Sequence, residues 1–125
     1  MRALKILCID DESSLLAQYK AVLRPGGHTV VTAQGADEGV DLAVKADIDL
    51  LFVDFNLPHV SGLDVARLVK TVKPGVKAVL VADPSLGAVD GRAFVDGLIS
   101  KGPTLEANLL DMARRVAEGG LARSE

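Results

Sequence analysis

Five short runs of aliphatic and β-branched residues recur along this chain: Leu4 to Ile9, Val30 to Ala33, Ile48 to Val53, Val76 to Val81 and Leu98 to Ser100. Between them lie longer segments whose apolar residues return every three or four positions. That alternation demands a parallel sheet with helices on both faces. The third and fourth runs are almost unbroken in apolar residues, as central strands covered on both sides require. The second opens on the polar pair His28-Thr29 and suits an edge.

The helical stripes are short and distinct. Leu15, Leu16, Tyr19, Val22 and Leu23 mark a first helix that Pro25-Gly26-Gly27 stops. Ala36, Val40, Ala43 and Val44 mark a second, and Leu63, Ala66 and Val69 a third, after which Pro74-Gly75 turns back into the sheet. Leu105, Leu109, Met112 and Val116 give the cleanest stripe, closed by Arg114 and Arg115 near the negative end of the helix dipole and by Gly119. Between Pro84 and Gly97, Gly87, Gly91 and Gly97 dilute any helix, so a fourth helix there is expected to be short or irregular. The expected architecture is α/β, a doubly wound (βα)5 domain over residues 1–118 with residues 119–125 as a flexible tail.

Composition removes several functions. In 125 residues, 49% are hydrophobic, enough for a core that needs no staple or structural metal. The single cysteine, Cys8, excludes an intramolecular disulfide and reads as an inert core thiol. Fourteen Lys and Arg against seventeen Asp and Glu give a net charge of −3, without the basic excess of a nucleic-acid grip. With aromatics at 3% and no Trp, a base-stacking platform has little to be built from. No apolar run approaches the roughly 20 residues that span a bilayer, so neither nucleic acid nor membrane is expected as a partner and the location is read as cytoplasmic.

Asp10-Asp11-Glu12 ends the first strand, Asp54 ends the third, and Lys101 follows the fifth. A doubly wound sheet gathers its ligands at these carboxyl ends. Crowded carboxylates raise one another's pKa, and a divalent cation relieves them; an all-oxygen donor set without His or Cys suits Mg2+. Taken singly, Asp11 before a helix would be an N-cap and Asp54 a turn residue. Taken together, acids at two strand ends and a lysine at a third favour a site.

The runs Leu-Cys-Ile-Asp10-Asp11-Glu12 and Asp54-Phe-Asn56-Leu-Pro58-His-Val-Ser-Gly62, with Lys101 and a proline close behind, resemble the receiver domain of bacterial two-component response regulators, of the CheY-like kind. The similarity covers essentially the whole chain. It implies a flavodoxin-like sheet of order 2-1-3-4-5 and Asp54 as phosphoacceptor. It also implies Mg2+ (with Mn2+ as a substitute) held by Asp11, Asp54 and the backbone carbonyl of Asn56, with Asp10 acting through water. Lys101 would pair with the phosphoryl group. The implied partners are a histidine kinase or phosphotransfer protein and a downstream protein target, with a homodimer left open; the domain would not be an enzyme beyond its own phosphorylation and dephosphorylation.

Two positions depart from that pattern. Where the family carries Ser or Thr at the end of strand four, the register places Ala82; where it carries Tyr or Phe in strand five, it places Leu98. Gly102 also separates Lys101 from Pro103. These departures favour an alternative, a phosphorylation-independent interaction module. A third reading, a phosphohydrolase with an aspartyl nucleophile, needs an acid two residues beyond Asp54, and Asn56 cannot donate and recover a proton. His59, in the same loop, is by default solvated. Gly62 is expected at the start of helix three, where a side chain would intrude.

Overall fold

A computed structural model describes residues 2–86 and 95–119. In chain order the elements are β1 (Lys5–Ile9), α1 (Ser13–Leu23), β2 (Thr29–Ala33), α2 (Ala36–Lys45), β3 (Leu50–Asp54), the two-residue strands β4 (Asn56–Leu57) and β5 (Val60–Ser61), α3 (Gly62–Val72), β6 (Lys77–Ala82), β7 (Gly97–Ser100) and α4 (Leu105–Ala117). The main sheet is wholly parallel in the order β2-β1-β3-β6-β7. With the small β4-β5 ribbon set aside, this is the expected order 2-1-3-4-5. The polar second strand lies at an edge and the third at the centre.

Period-two alternation divides each strand between two cores. Ile6, Cys8, Phe52, Val79 and Val81 face α1 and α4, where Leu16, Tyr19, Leu23, Leu105 and Leu109 meet them. Leu7, Ile9, Leu51, Val53, Ala78 and Leu80 face α2 and α3, meeting Ala43, Val65, Ala66 and Val69. Each large aliphatic chain so buried stabilises the fold by about 1.5–3 kcal/mol. All five residues of β3 are buried.

Several details differ from the sequence reading. The third strand begins at Leu50 rather than Ile48 and runs on to Asp54, because the ladder to β6 continues through the Asp54–Val81 pair. The Asp49 carboxylate just before it accepts the Lys5 N–H at 2.8 Å. On α2, Val44 belongs to the apolar stripe but is 40% exposed; Gly39 is buried in its place. A Cβ there would collide with the Ile9 side chain, so the helix approaches the sheet through a glycine. Pro84–Leu86 form a single 3-10 turn; the remainder of the expected fourth helix and the expected tail from residue 120 onward lie outside the described residues.

Two buried polar groups brace the amino end of the sheet. His28 Nδ1 accepts the Leu4 N–H at 3.0 Å. Asp96, ahead of β7, accepts the Ala78 N–H at 2.9 Å and the Lys70 ammonium of α3 at 2.6 Å. Among the described residues no buried side-chain nitrogen or oxygen is left without a partner, and no helix is long and apolar enough to cross a membrane.

Candidate functional site

Asp10 directly follows β1 and Asp54 is the last residue of β3, neighbouring strands whose ends lie side by side. Both are buried, at 0% and 2% exposure, whereas Asp11 is exposed. One carboxylate oxygen from each of the three lies within 4.8 Å of the others. Asp11 is not a helix cap: the capping position of α1 is Glu12, which makes no side-chain cap bond.

Lys101 arrives from the far side. It follows β7, and its own N–H donates to the Ala82 carbonyl at 2.8 Å, so the ladder itself fixes the lysine backbone. Its Nζ donates to Asp54 Oδ2 at 3.1 Å and stands 3.7 Å from Asp10 Oδ2. The second Asp54 oxygen accepts the Asn56 N–H at 3.1 Å. Asp10 Oδ1 accepts the Glu12 N–H at 2.9 Å, and Asp10 Oδ2 accepts the Tyr19 hydroxyl at 3.2 Å.

The loop beyond Asp54 is a tight ribbon that the sequence did not disclose. Asn56 pairs with Ser61 and Leu57 with Val60 around Pro58-His59, with His59 held at φ 69°. Ser61 then caps α3, its Oγ accepting the Asp64 N–H. Gly62 opens the helix against the Asp54 backbone; any Cβ would strike the Asp54 carbonyl oxygen. The expectation that a side chain would intrude at Gly62 is met.

Burial raises the Asp10 pKa, and the Asp54 charge raises it further, outweighing the opposing pull of the Glu12 N–H, Lys101 and Tyr19. For Lys101, burial disfavours the ammonium, but its bond to Asp54 and the charges of Asp10, Asp54 and Glu12 prevail and raise its pKa. The site therefore holds more negative charge than one lysine balances. Its donors are carboxylate oxygens without His or Cys, so the residues present fit a hard divalent cation such as Mg2+.

Tyr19 is the member that sequence reasoning missed. Its spacing puts it on the core face of the first helix, where it does lie, fully buried. Helical spacing identifies the buried face but not where a phenol tip ends. At the two atypical positions, Ala82 is buried at the end of β6 and Leu98 is 37% exposed on β7. The Asp83 carboxylate after Ala82 folds back onto Ser85, accepting its hydroxyl at 2.7 Å and its N–H at 2.9 Å, contacts that lower the Asp83 pKa.

The model of the response regulator receiver domain matches residues 6–106, from within β1 to the start of α4. The chain belongs to this family. Receiver domains serve two-component signalling and are not a classical enzyme family; they bind Mg2+ at an acidic pocket and interact with histidine kinases or phosphotransfer proteins. This receiver domain is 33% identical over 94 residues to the cell cycle transcriptional regulator CtrA of Caulobacter vibrioides, matching 75% of this chain and 41% of that protein. The chain thus spans well under half the length of that relative. A CheY-like receiver domain protein from Methanospirillum hungatei superposes with a TM-score of 0.82 at 23% identity, covering 94% of this chain and 96% of its own. Response regulator TrrA from Thermotoga maritima, solved in complex with Mg2+-BeF, superposes with a TM-score of 0.81 at 23% identity, covering 90% and 98%. These two likenesses establish the shared fold.

Proposed function

We propose that this receiver domain accepts a phosphoryl group on Asp54 from a histidine kinase or phosphotransfer protein, in a Mg2+-dependent reaction, and signals through altered binding of a protein target. The observation that carries the reading is the convergence on Asp54 of a lysine at 3.1 Å and two further carboxylates at the carboxyl end of the sheet. A carboxylate oxygen of Asp54 attacks phosphorus as the bond to the donor's nitrogen breaks. That nitrogen keeps the electron pair, and an acyl phosphate remains on Asp54. Lys101 balances charge on the transferring oxygens, and the Asn56 N–H holds the Asp54 carboxylate in place. A bound Mg2+ would be held by Asp11, Asp54 and the Asn56 carbonyl, with Asp10 acting through water, and would neutralise the phosphoryl oxygens; Mn2+ would substitute.

On this reading residues 1–118 form the receiver unit and the protein works in the cytoplasm. It catalyses nothing beyond its own phosphorylation and dephosphorylation. Intact mass after incubation with Mg2+ and acetyl phosphate tests it: one added phosphoryl group is expected, lost with EDTA and absent from Asp54→Ala. Labelling that persists in Asp54→Ala would overturn the assignment.

A specific observation keeps a second reading in view. Ala82 offers no hydroxyl to a phosphoryl oxygen, and Leu98 has no polar tip whose position could change with it. A ligand shifts an equilibrium only through differential interaction with its states. A module that binds its partner irrespective of phosphorylation would keep the acidic pocket and show no change in partner affinity on labelling.

A further inference from the structure

We infer that the Tyr19 hydroxyl is a positioning group for the cation site, holding the Asp10 carboxylate in the orientation in which the oxygens of Asp10, Asp11 and Asp54 converge. The inference rests on the reading of that cluster as a Mg2+ site.

Tyr19 lies in the middle of α1 with no exposed surface, between Leu16 and Leu23 in the core beneath the helix. Phenylalanine would fill that space as well. A buried hydroxyl adds a polar group that must be bonded to avoid a desolvation penalty. The bond found for it is not to a neighbouring helical carbonyl but to Asp10 Oδ2, at 3.2 Å.

The bond matters because of what else holds Asp10. Its Oδ1 is tied to the Glu12 N–H at 2.9 Å. Among the described residues, its Oδ2 would otherwise be constrained only by the Lys101 ammonium, which at 3.7 Å is outside hydrogen-bond range and bonded instead to Asp54. The Glu12 N–H and the Tyr19 hydroxyl therefore grip opposite oxygens of one carboxylate, fixing its plane. Without the phenol, Oδ2 can swing toward Lys101, drawing the ammonium from Asp54 and Asp10 away from the shared position. Groups that orient direct metal ligands are typically worth about 10–100-fold in metal affinity; Asp10 acts through water, so the lower end of that range is expected of Tyr19.

Tyr19 is also the sole tyrosine, and the chain has no Trp, so ultraviolet-excited emission at tyrosine wavelengths reports on this one hydroxyl. The full chain and its Tyr19→Phe, Asp11→Asn and Leu16→Ala variants would be titrated with Mg2+ alone by calorimetry, and the wild type also by emission. Tyr19→Phe is expected to bind Mg2+ about tenfold more weakly, and Mg2+ is expected to change wild-type emission. Leu16→Ala loosens the same helix but removes neither hydrogen bond to Asp10 and should keep near-wild-type affinity, which separates positioning from general loss of packing. Wild-type affinity in Tyr19→Phe, an equal loss in Leu16→Ala, or unchanged emission at saturating Mg2+ would each overturn the inference. Absence of Mg2+ binding by the wild type, or undiminished binding by Asp11→Asn, would instead overturn the cation-site reading beneath it.

Discussion

Gly62 Cα sits so close to the Asp54 backbone that a methyl group there has no room: it would meet the Asp54 carbonyl oxygen and approach the Phe55 Cα at 2.9 Å. Neither obstacle is a flexible side-chain tip. Gly62→Ala should therefore displace the strand end or the helix start, costing about 1–3 kcal/mol and slowing phosphorylation at Asp54. Urea midpoints and the rate of labelling by acetyl phosphate measure the two effects. Unchanged values in both would show that the loop yields freely.

His59 carries a positive φ that favours glycine, though histidine tolerates it better than branched residues do. His59→Gly should stabilise the domain by about 0.5–1 kcal/mol, and His59→Val should destabilise it by a similar amount or more. Opposite signs in thermal unfolding are the expected outcome. Stabilisation by valine would mean that the side chain, not the backbone, sets the preference.

Asp96 and Lys70 form a buried pair at 2.6 Å, with side chains 3% and 13% exposed. Among the described residues, Asp96→Ala leaves the ammonium with the Val76 carbonyl alone and the Ala78 N–H without its side-chain acceptor. A loss of about 3–5 kcal/mol is expected, and the double variant Lys70→Met with Asp96→Leu should recover a large part of it. A double-mutant cycle read by urea unfolding checks both.

His28 is buried, and burial lowers its pKa from the ordinary 6.5. Its Nδ1 accepts a backbone hydrogen bond, so the folded form needs the neutral ring at that nitrogen. Below pH 6.5 the unfolded chain takes up a proton that the folded chain refuses. Stability is thus full above pH 6.5 and falls as the pH drops towards the depressed folded value. His28→Gln should flatten that part of the pH profile of the urea midpoint; an unaltered profile would assign the slope to other groups.

Beryllofluoride with Mg2+ should shift backbone amides near Asp10, Asp54 and Lys101 and few in β7. The substitution Ala82→Thr restores a hydroxyl at the end of β6 and should extend the response along Gly97–Ser100. Wild-type shifts already spreading through β7 would reveal another route from the site.

What the sequence disclosed and what it hid have one physical cause. Strand positions were legible because buried parallel strands must be apolar on both faces. The site followed from them, since Asp10, Asp54 and Lys101 stand at strand ends that the topology gathers along one edge of the sheet. Features set by side-chain length or local crowding were not legible. The reach of Tyr19 to Asp10, the Lys70–Asp96 pair and the exposure of Val44 depend on helix rotation and on distances that periodicity does not carry. The ribbon Asn56–Ser61 is too short to have a period. Gly39 was invisible for the same reason: the sequence does not state how near Ile9 comes.

The sheet works as a bulkhead that divides the buried side chains into two separate clusters. Substitutions in the α1–α4 compartment, Leu109→Ala for instance, should add in free energy to those in the α2–α3 compartment, such as Val69→Ala. Either helix pair can be remodelled without disturbing the packing of the other. The carboxyl edge is the exception: Tyr19 reaches it from one compartment and Gly62 from the other. Departure from additivity between those two positions would mark the acidic pocket as the joint through which the halves of the molecule sense one another.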